Sequence, residues 1–397
     1  MEPNMKTNLA NESNSKKTYV LVGGGSGGHL TPLVAVAEAL KSLDDSASIC
    51  HIGQRGENLS EVTQHKAIDE SYEIRAGKFR RYHGESWLKQ LLDVKTNLLN
   101  VRDVFRFIRG TFESYFLLKR LNPNAVFLKG GFVSVPVGYA ARLLSIPYVT
   151  HDSDAIPGLA NRMTAKHAVY NLTALPTKLY PYAEEKSRQV GIPTQKEFVK
   201  VTETLQAEAR MTLEVPLDAD ILLSVGGGLG AQKINDAIVA GSRDLLKAHP
   251  KLIIIHLTGK SLYNETLAKY QNLLTEELMS RLIVIDFSTT LYQLSAAADI
   301  IITRAGATNI AEFAMQQKAC IVVPAPHLTG GQQLHNAEVL QQTNAALIVQ
   351  EDELDKLSTK ITFLLDSKEE RQKIAKSLND LAVVDADKSI ATLLEEM

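Results

Sequence analysis

Two glycine-rich turns, one histidine and one pair of aspartates have the residue types and spacing to do chemistry. Gly23-Gly-Gly-Ser-Gly-Gly28 runs directly into His29, and Gly226-Gly-Gly-Leu-Gly230 follows about half the chain later. Glycines between a strand and a helix let backbone approach a ligand closely, and the helix start offers free N–H groups to a phosphate. Neither turn carries the Lys-Ser/Thr of a P-loop. A dinucleotide fold places an acid at the tip of its second strand, where this chain reads Gly53-Gln-Arg-Gly56 with Glu57 slightly late. A histidine such as His29 titrates near neutrality and can take a proton. Asp152-Ser-Asp154 sets two carboxylates two residues apart, a spacing that can hold Mg²⁺ or Mn²⁺. His327 and His335 have no third ligand nearby, which argues against zinc.

These residues need elements to hold them. Thr18–Val22 and Asp220–Val225 read as apolar strands leading into the two turns, with helical patterns from Leu30 to Leu43 and from Ala231 to His249. Further short strands read at Ile49–Ile52, Ala125–Lys129, Ile146–Thr150 and Ala168–Leu172, then Lys251–Leu257, Leu282–Asp286, Asp299–Thr303 and Ala319–Val323. Alternation with helices predicts an α/β chain of two doubly wound, largely parallel halves around one cleft. The linker is expected near Val190-Gly-Ile-Pro193. Polar residues 1–17 read as a disordered leader.

The chain has 397 residues, 43 Lys and Arg against 45 Asp and Glu, and two well-separated cysteines, Cys50 and Cys320. That excludes a disulfide-stapled chain and a generally basic nucleic-acid binder. The near-neutral total hides an asymmetry. Residues 78–120 hold ten Lys and Arg against four acids, a surplus of +6 balanced by −8 elsewhere, with eight of the 24 aromatics and the only tryptophan, Trp87. Lys78, Arg80, Arg81, Arg102, Arg106 and Arg109, interleaved with these aromatics, suit an anionic lipid surface. The plainer expectation is an amphipathic helix packed on its own domain through Phe105, Phe112 and Phe116.

From Thr18 onward the chain resembles the MurG family of bacterial glycosyltransferases. The resemblance rests on Gly23–Pro32, on Gly77-Lys-Phe-Arg-Arg-Tyr82, and on Gly130-Gly-Phe-Val-Ser-Val-Pro136. It continues through His151-Asp-Ser-Asp-Ala-Ile-Pro-Gly-Leu-Ala-Asn161, Arg304-Ala-Gly-Ala-Thr-Asn-Ile-Ala-Glu312 and Gln332-Gln333 with Asn336. It implies a GT-B fold of two Rossmann-like domains: an acceptor and membrane-binding domain over 18–192, and a UDP-sugar domain over 193–379. A C-terminal helix near 380–397 would pack back on the first. It implies inverting transfer of GlcNAc from UDP-GlcNAc to the C4 hydroxyl of lipid I, giving lipid II for peptidoglycan, and so a part in cell shape and division. The implied place is peripheral, on the cytoplasmic face of the plasma membrane. The implied partners are UDP-GlcNAc, lipid I, anionic lipids and cell-wall synthesis proteins, with no nucleic acid.

The resemblance also assigns residues. Catalysis falls to His29, with Asp152 and Asp154 as alternative bases or orienting partners. The donor is held by Ser26, Gly27, Gly28, Gly228, Phe287, Ser288, Arg304, Gly306, Ala307, Thr308, Glu312, Gln332 and Gln333. Glu312 would take the ribose hydroxyls, the Gly306–Thr308 amides the diphosphate, and the two glutamines the GlcNAc hydroxyls. The acceptor is held by Gly130, Gly131, Ser134, His151 and Asn161. No cofactor is obligatory and no metal ligand is assigned, although Asp-Ser-Asp leaves a divalent cation open. Gly228 and Leu229 stand where the family usually has Ser-Gln, and Gln195 where it has an arginine; Arg304 is a candidate replacement for that charge. Two other readings stay open: a GT-B transferase acting on diacylglycerol, and a UDP-sugar-binding homologue with weakened catalysis.

Overall fold

The computed structural model describes residues 16–24, 27–57, 63–77, 94–228, 230–326 and 329–397, with backbone only at 27–29, 94–99 and 329. Ser26, Lys78, Arg80, Arg81, Trp87, His327 and most of the leader lie outside the described residues, as does the side chain of His29.

The first half is one parallel sheet of seven strands. These are β1 (Thr18–Val22), β2 (Ser48–Gln54), β3 (Glu70–Ile74), β4 (Ala125–Leu128), β5 (Tyr148–Asp152), β6 (Tyr170–Thr173) and β7 (Ser187–Gln189), in spatial order 3-2-1-4-5-6-7. The second half has β8 (Asp220–Val225), β9 (Leu252–Leu257), β10 (Leu282–Ile285), β11 (Ile300–Thr303), β12 (Ala319–Val322) and β13 (Leu347–Ile348), in order 10-9-8-11-12-13, again all parallel. Strand order reverses between β1 and β4 and between β8 and β11. In open α/β sheets, ligands bind outside the strand C-termini at such switch points.

Continuous apolar runs form the central strands because both faces are covered by helices. In β1, Tyr19 and Leu21 face one helical layer while Val20 and Val22 face the other. In β8, Leu222 faces one layer and Ile221, Leu223 and Val225 the opposite one. The strands absent from the sequence reading, β3, β7 and β13, all lie outside these central runs. β7 and β13 are edge strands, and β3 is the polar edge Glu-Ser-Tyr-Glu-Ile. β5 also runs two residues further than expected, so His151 and Asp152 lie in the sheet, paired in register with Leu172 and Thr173.

The chain passes between the halves after β7 and again before its last helix, Ala386–Glu395. That helix buries Ile390, Ala391 and Leu394 against Leu33, Val36 and Leu40 of the helix Gly27–Leu43. The two crossings touch. Gly191 has φ +81°, and a Cβ there would lie 2.5 Å from Cβ of Val383. Only glycine meets both demands at this point.

Candidate active site in the interdomain cleft

On the second half, β11 ends at Thr303 and the chain turns through Arg304-Ala305-Gly306 into the helix Ala307–Met315. Gly306 caps that helix in extended geometry (φ −74°, ψ 125°). The first-turn amides have no partner within the helix and carry the positive end of its dipole, an arrangement suited to phosphate oxygens. Glu312 lies further along the same helix, 6 % exposed. Its carboxyl has no hydrogen-bond or ionic partner among the described residues, and burial alone pushes its pKa up to about 8. A buried, unpaired carboxylate is costly unless a ligand supplies donors. Two ribose hydroxyls would do so.

The neighbouring loops complete this face. Gly330 (φ +84°) and Gly331 (φ +66°) bend the chain into the helix Gln332–Gln342. Gln333 Oε1 accepts the Ala325 amide at 2.9 Å, fixing the preceding loop, while Gln332 stays partly exposed beside it. Past β10, Phe287 is partly exposed with Lys260 Nζ 4.7 Å over its ring, and Ser288 Oγ holds the Thr290 amide at 3.1 Å. Gly228, at the end of β8, has open space where a Cβ would stand.

Arg304 is a correction. Its guanidinium is committed to Glu351 at 2.6 Å, with further donations to the Val323 and Pro324 carbonyls. Glu351 also takes Lys233 at 2.7 Å. Arg304 is thus held in an ion pair in which it and Lys233 share one carboxylate, which fixes its guanidinium toward Glu351.

On the first half, β4 leads through Lys129 into Gly130 (φ +111°) and Gly131 (φ +79°), both in backbone that glycine alone adopts readily. Ser134 is fully buried. Its Oγ donates to the Gly130 carbonyl at 2.7 Å and accepts the Gly130 amide at 3.1 Å. It shapes the loop and is not placed to touch an acceptor.

Three more expected contacts prove to be internal. The His151 ring is fully buried in β5, its Nε2 at 2.8 Å from the Gly191 carbonyl, so it ties the sheet to the interdomain crossing. Asn161 donates to the His151 carbonyl and to Asp152 Oδ1, both at 2.8 Å. Asp152 also accepts Tyr182 Oη at 2.6 Å and the Gly158 amide at 3.1 Å. Burial nonetheless holds its carboxyl above the usual range. With three donors and almost no exposure, Asp152 is a structural hub and not a free base.

Asp154 points differently. It accepts Asn336 Nδ2 at 2.9 Å, and the Asn336 Oδ1 accepts the Ala155 amide at 2.8 Å. Asp152 and Asp154 therefore serve separate partners and do not converge as a cation pair. Among the described residues no group of three or more His, Cys, Asp or Glu could hold a metal. Fully buried Lys129 donates to Ser153 Oγ at 2.7 Å; burial lowers its pKa to about 8 against the opposing fields of Asp154 and Asp152.

Sequence reasoning gave Lys129 and Asn336 no role. A lysine closing an apolar strand just before a glycine pair was the available signal for Lys129. For Asn336 the motif was visible, but its partners lie 181 and 182 residues away.

The two faces meet. Cα atoms of the helix Gly27–Leu43, whose first turn contains Gly27, Gly28 and His29, come within 8 Å of the helix Ala307–Met315 carrying Glu312. The two switch points thus open onto one cleft.

Comparison with known proteins agrees with this architecture. Residues 19–170 match the glycosyltransferase family 28 N-terminal domain, and residues 221–390 its C-terminal domain. The chain is 33 % identical, over 96 % of its length and 99 % of the relative's, to a protein of Lachnoclostridium phytofermentans. That protein is named UDP-N-acetylglucosamine--N-acetylmuramyl-(pentapeptide) pyrophosphoryl-undecaprenol N-acetylglucosamine transferase. A Clostridium novyi protein of the same name is 31 % identical over the same shares. The crystal structure of Acinetobacter baumannii MurG superposes with a TM-score of 0.71 at 25 % identity, covering 96 % of this chain and 100 % of that one. A UDP-GlcNAc 2-epimerase of Neisseria meningitidis shares the fold at a TM-score of 0.63 and 14 % identity, covering 96 % and 100 %.

Proposed function

The chain belongs to glycosyltransferase family 28, and from that premise we propose that it transfers GlcNAc from UDP-GlcNAc to the C4 hydroxyl of lipid I, forming lipid II. The observation that carries the reading is the meeting of two switch-point crevices, with the His29 helix facing the Glu312 helix across the cleft.

The proposed chemistry draws on this geometry. The diphosphate sits at the N-terminus of the helix Ala307–Met315, where the Ala307 and Thr308 amides oppose its charge. Glu312 accepts the ribose hydroxyls, the uracil lies near Phe287 and Ser288, and Gln332 with Gln333 reads the sugar. As UDP departs its negative charge grows, so the helix terminus stabilises the transition state more than the ground state. The acceptor hydroxyl attacks the anomeric carbon from the opposite side, inverting it. His29, in the first turn of the facing helix, takes the proton, a contribution of roughly 10²–10⁴-fold. No residue in this account calls for a metal.

The acceptor in this proposal is a lipid, and one helix has features that suit a lipid surface. Val94–Leu121 packs through a mixed side: backbone closely approaches at Gly77 with Asp103 and at Gly110 with Arg75; Asp103, Ser114 and Leu118 are buried, and Phe107 and Tyr115 are partly buried beside them. Phe105 (68 %), Phe112 (63 %) and Phe116 (67 %) are exposed, with Val101, Val104 and Ile108 beside them. This corrects the expectation that these rings pack on their own domain. At ~100° per residue the six fall within an arc of about 120°, over a length of roughly 22 Å. Exposed Arg102, Arg106 and Arg109 flank one side. No helix among the described residues is long and apolar enough to cross a membrane. Peripheral attachment through this stripe to anionic lipid on the cytoplasmic face is the reading we adopt.

The decisive experiment supplies UDP-GlcNAc and a short-chain lipid I analogue and follows UDP release with product mass. Lipid II analogue with one inverted linkage is expected. UDP release without acceptor, or preference for diacylglycerol, would overturn the assignment. His29→Ala is expected to lower turnover by at least 10²-fold while UDP affinity changes less than threefold; equal losses in both would remove His29 as the base.

A further inference from the structure

We propose that Asn336 and Asp154 form the latch that closes the two halves over bound donor, with Asp154 acting as a positioning residue through Asn336. The proposal rests on the donor site described above, but not on which acceptor is used.

Every polar atom of the Asn336 side chain is engaged. Nδ2 donates to the Ala305 carbonyl and to Asp154 Oδ1, both at 2.9 Å, and Oδ1 accepts the Ala155 amide at 2.8 Å. Ala305 immediately precedes Gly306, the cap of the phosphate-facing helix, and Asn336 lies one turn beyond the sugar-facing Gln332 and Gln333. Asp154 and Ala155 belong to the other half. There Lys129 holds the intervening Ser153 and leads directly into the Gly130 loop. A donor that settles the Ala305 loop therefore settles Asn336, and through it the acceptor-side loop. Behind the latch, the two crossings meet at Gly191 and Val383. Between latch and crossings lies a mainly apolar cavity of about 70 Å³ that includes Ser153, Ile192, Ala311 and Asn336 in its walls. A void at a pivot leaves room for one half to rotate on the other, while the latch supplies the directional contact that fixes the closed angle.

The test uses the full chain with one spin label on each half. It measures the interdomain distance distribution at saturating UDP, UDP affinity, and kcat and KM for the lipid acceptor. Asp154→Asn keeps an acceptor for Asn336 Nδ2, so closure and kcat are expected within threefold of wild type. A collapse of kcat with closure intact would make Asp154 a base and overturn the proposal. Asp154→Ala leaves the Ala305 contact in place. UDP affinity should fall severalfold, because binding and closure are reciprocally coupled, while the distribution broadens, kcat falls at least tenfold and acceptor KM rises. An unchanged distribution overturns the proposal.

Asn336→Asp sets two carboxylates against each other and should open the cleft further. Adding Asp154→Asn to it should narrow the distribution again, because the amide at 154 then donates across the cleft. UDP affinity should stay low, because Ala305 still lacks its donor. No narrowing in that double variant also counts against the latch, and does so even if Asp154→Ala alone fails to fold. A protein that closes on UDP yet transfers nothing to lipid I would sink the functional reading and leave the latch standing.

Discussion

In the proposed donor site, Glu312 is unfavourable for the empty protein and necessary for the occupied one. Burial pushes the pKa of its carboxyl up to about 8, because it removes water and no partner among the described residues replaces it. A pKa raised on folding contributes stability that is fully present below the unfolded value, about 4.5, and is lost as pH rises through about 8. Accepting two hydroxyls requires the ionised form, so UDP binding should expel a proton across that window. Calorimetry at pH 7 in buffers of different ionisation enthalpy should report close to one proton released, and UDP affinity should rise with pH up to about 8 and then level off. Glu312→Gln should abolish the proton release, weaken UDP, and make the empty protein more stable at pH 8. Pure pH independence in wild type would place the ribose elsewhere. Gly228 offers the opposite experiment. A Cβ there meets open space, and its φ is not in the left-handed range. Gly228→Ser should cost less than about 0.5 kcal/mol of stability. One added hydroxyl contact should tighten UDP by roughly 2–10-fold, from a net ~0.5–1.5 kcal/mol per hydrogen bond. Weaker binding would show that position 228 faces away from the diphosphate.

At the scale of elements, the helix Val94–Leu121 turns Phe105, Phe112 and Phe116 outward, while Gly110, Ser114 and Asp103 face inward beside Leu118 and the partly buried Phe107 and Tyr115. Replacing Phe105, Phe112 and Phe116 together with serine should leave the melting temperature nearly unchanged, because all three are exposed. The same change should lower binding to phosphatidylglycerol vesicles more than tenfold in flotation assays, since full burial of each ring is worth ~1.5–3 kcal/mol. The cationic share is best tested at Lys119, since Arg109 also pairs with Glu113 at 3.4 Å. Arg102 and Arg106 also neutralise buried Asp103 at 3.3 and 3.4 Å, so their loss would disturb the fold. Equal flotation of the triple variant and wild type would reassign the stripe. That orientation was not legible in the sequence, because periodicity reports that a helix has an apolar face without saying which face meets the protein. The same gap explains His151, Asn161 and Asp152, whose partners are set by β5 running into the sheet and by Tyr182 thirty residues on. Central strands such as β8 and β9 were legible because burial on both faces demands mostly Ile, Leu and Val, with Ser224 and His256 as the buried polar exceptions. The polar strand β3 and the three-residue β7 carry no such demand. The glycine turns could be read directly, since close backbone approach leaves a residue-type signature, whereas Glu312 was singled out only through the family motif, because a lone glutamate in a helix looks like a surface residue.

For the whole molecule, the last helix makes the chain's end part of its beginning. Ile390, Ala391 and Leu394 are almost wholly buried against Leu33, Val36 and Leu40, so the helix that carries His29 gets its backing from residues at the far terminus. Two fully buried large aliphatic side chains are worth ~3–6 kcal/mol together, a large share of the ~5–15 kcal/mol that holds a domain folded. Leu394→Ala should then destabilise the first half by ~2–5 kcal/mol. The second half keeps its own cores on both faces of its sheet, so its unfolding should not move. Urea unfolding followed by far-UV circular dichroism, with and without UDP, separates the two. The variant should show an early transition insensitive to UDP and a later one that UDP delays, because a ligand held mainly by the donor half stabilises that half by mass action. If both transitions fall together and UDP delays both equally, the halves unfold as one unit. The cleft would then be a rigid groove, with no independent bodies for a hinge to join.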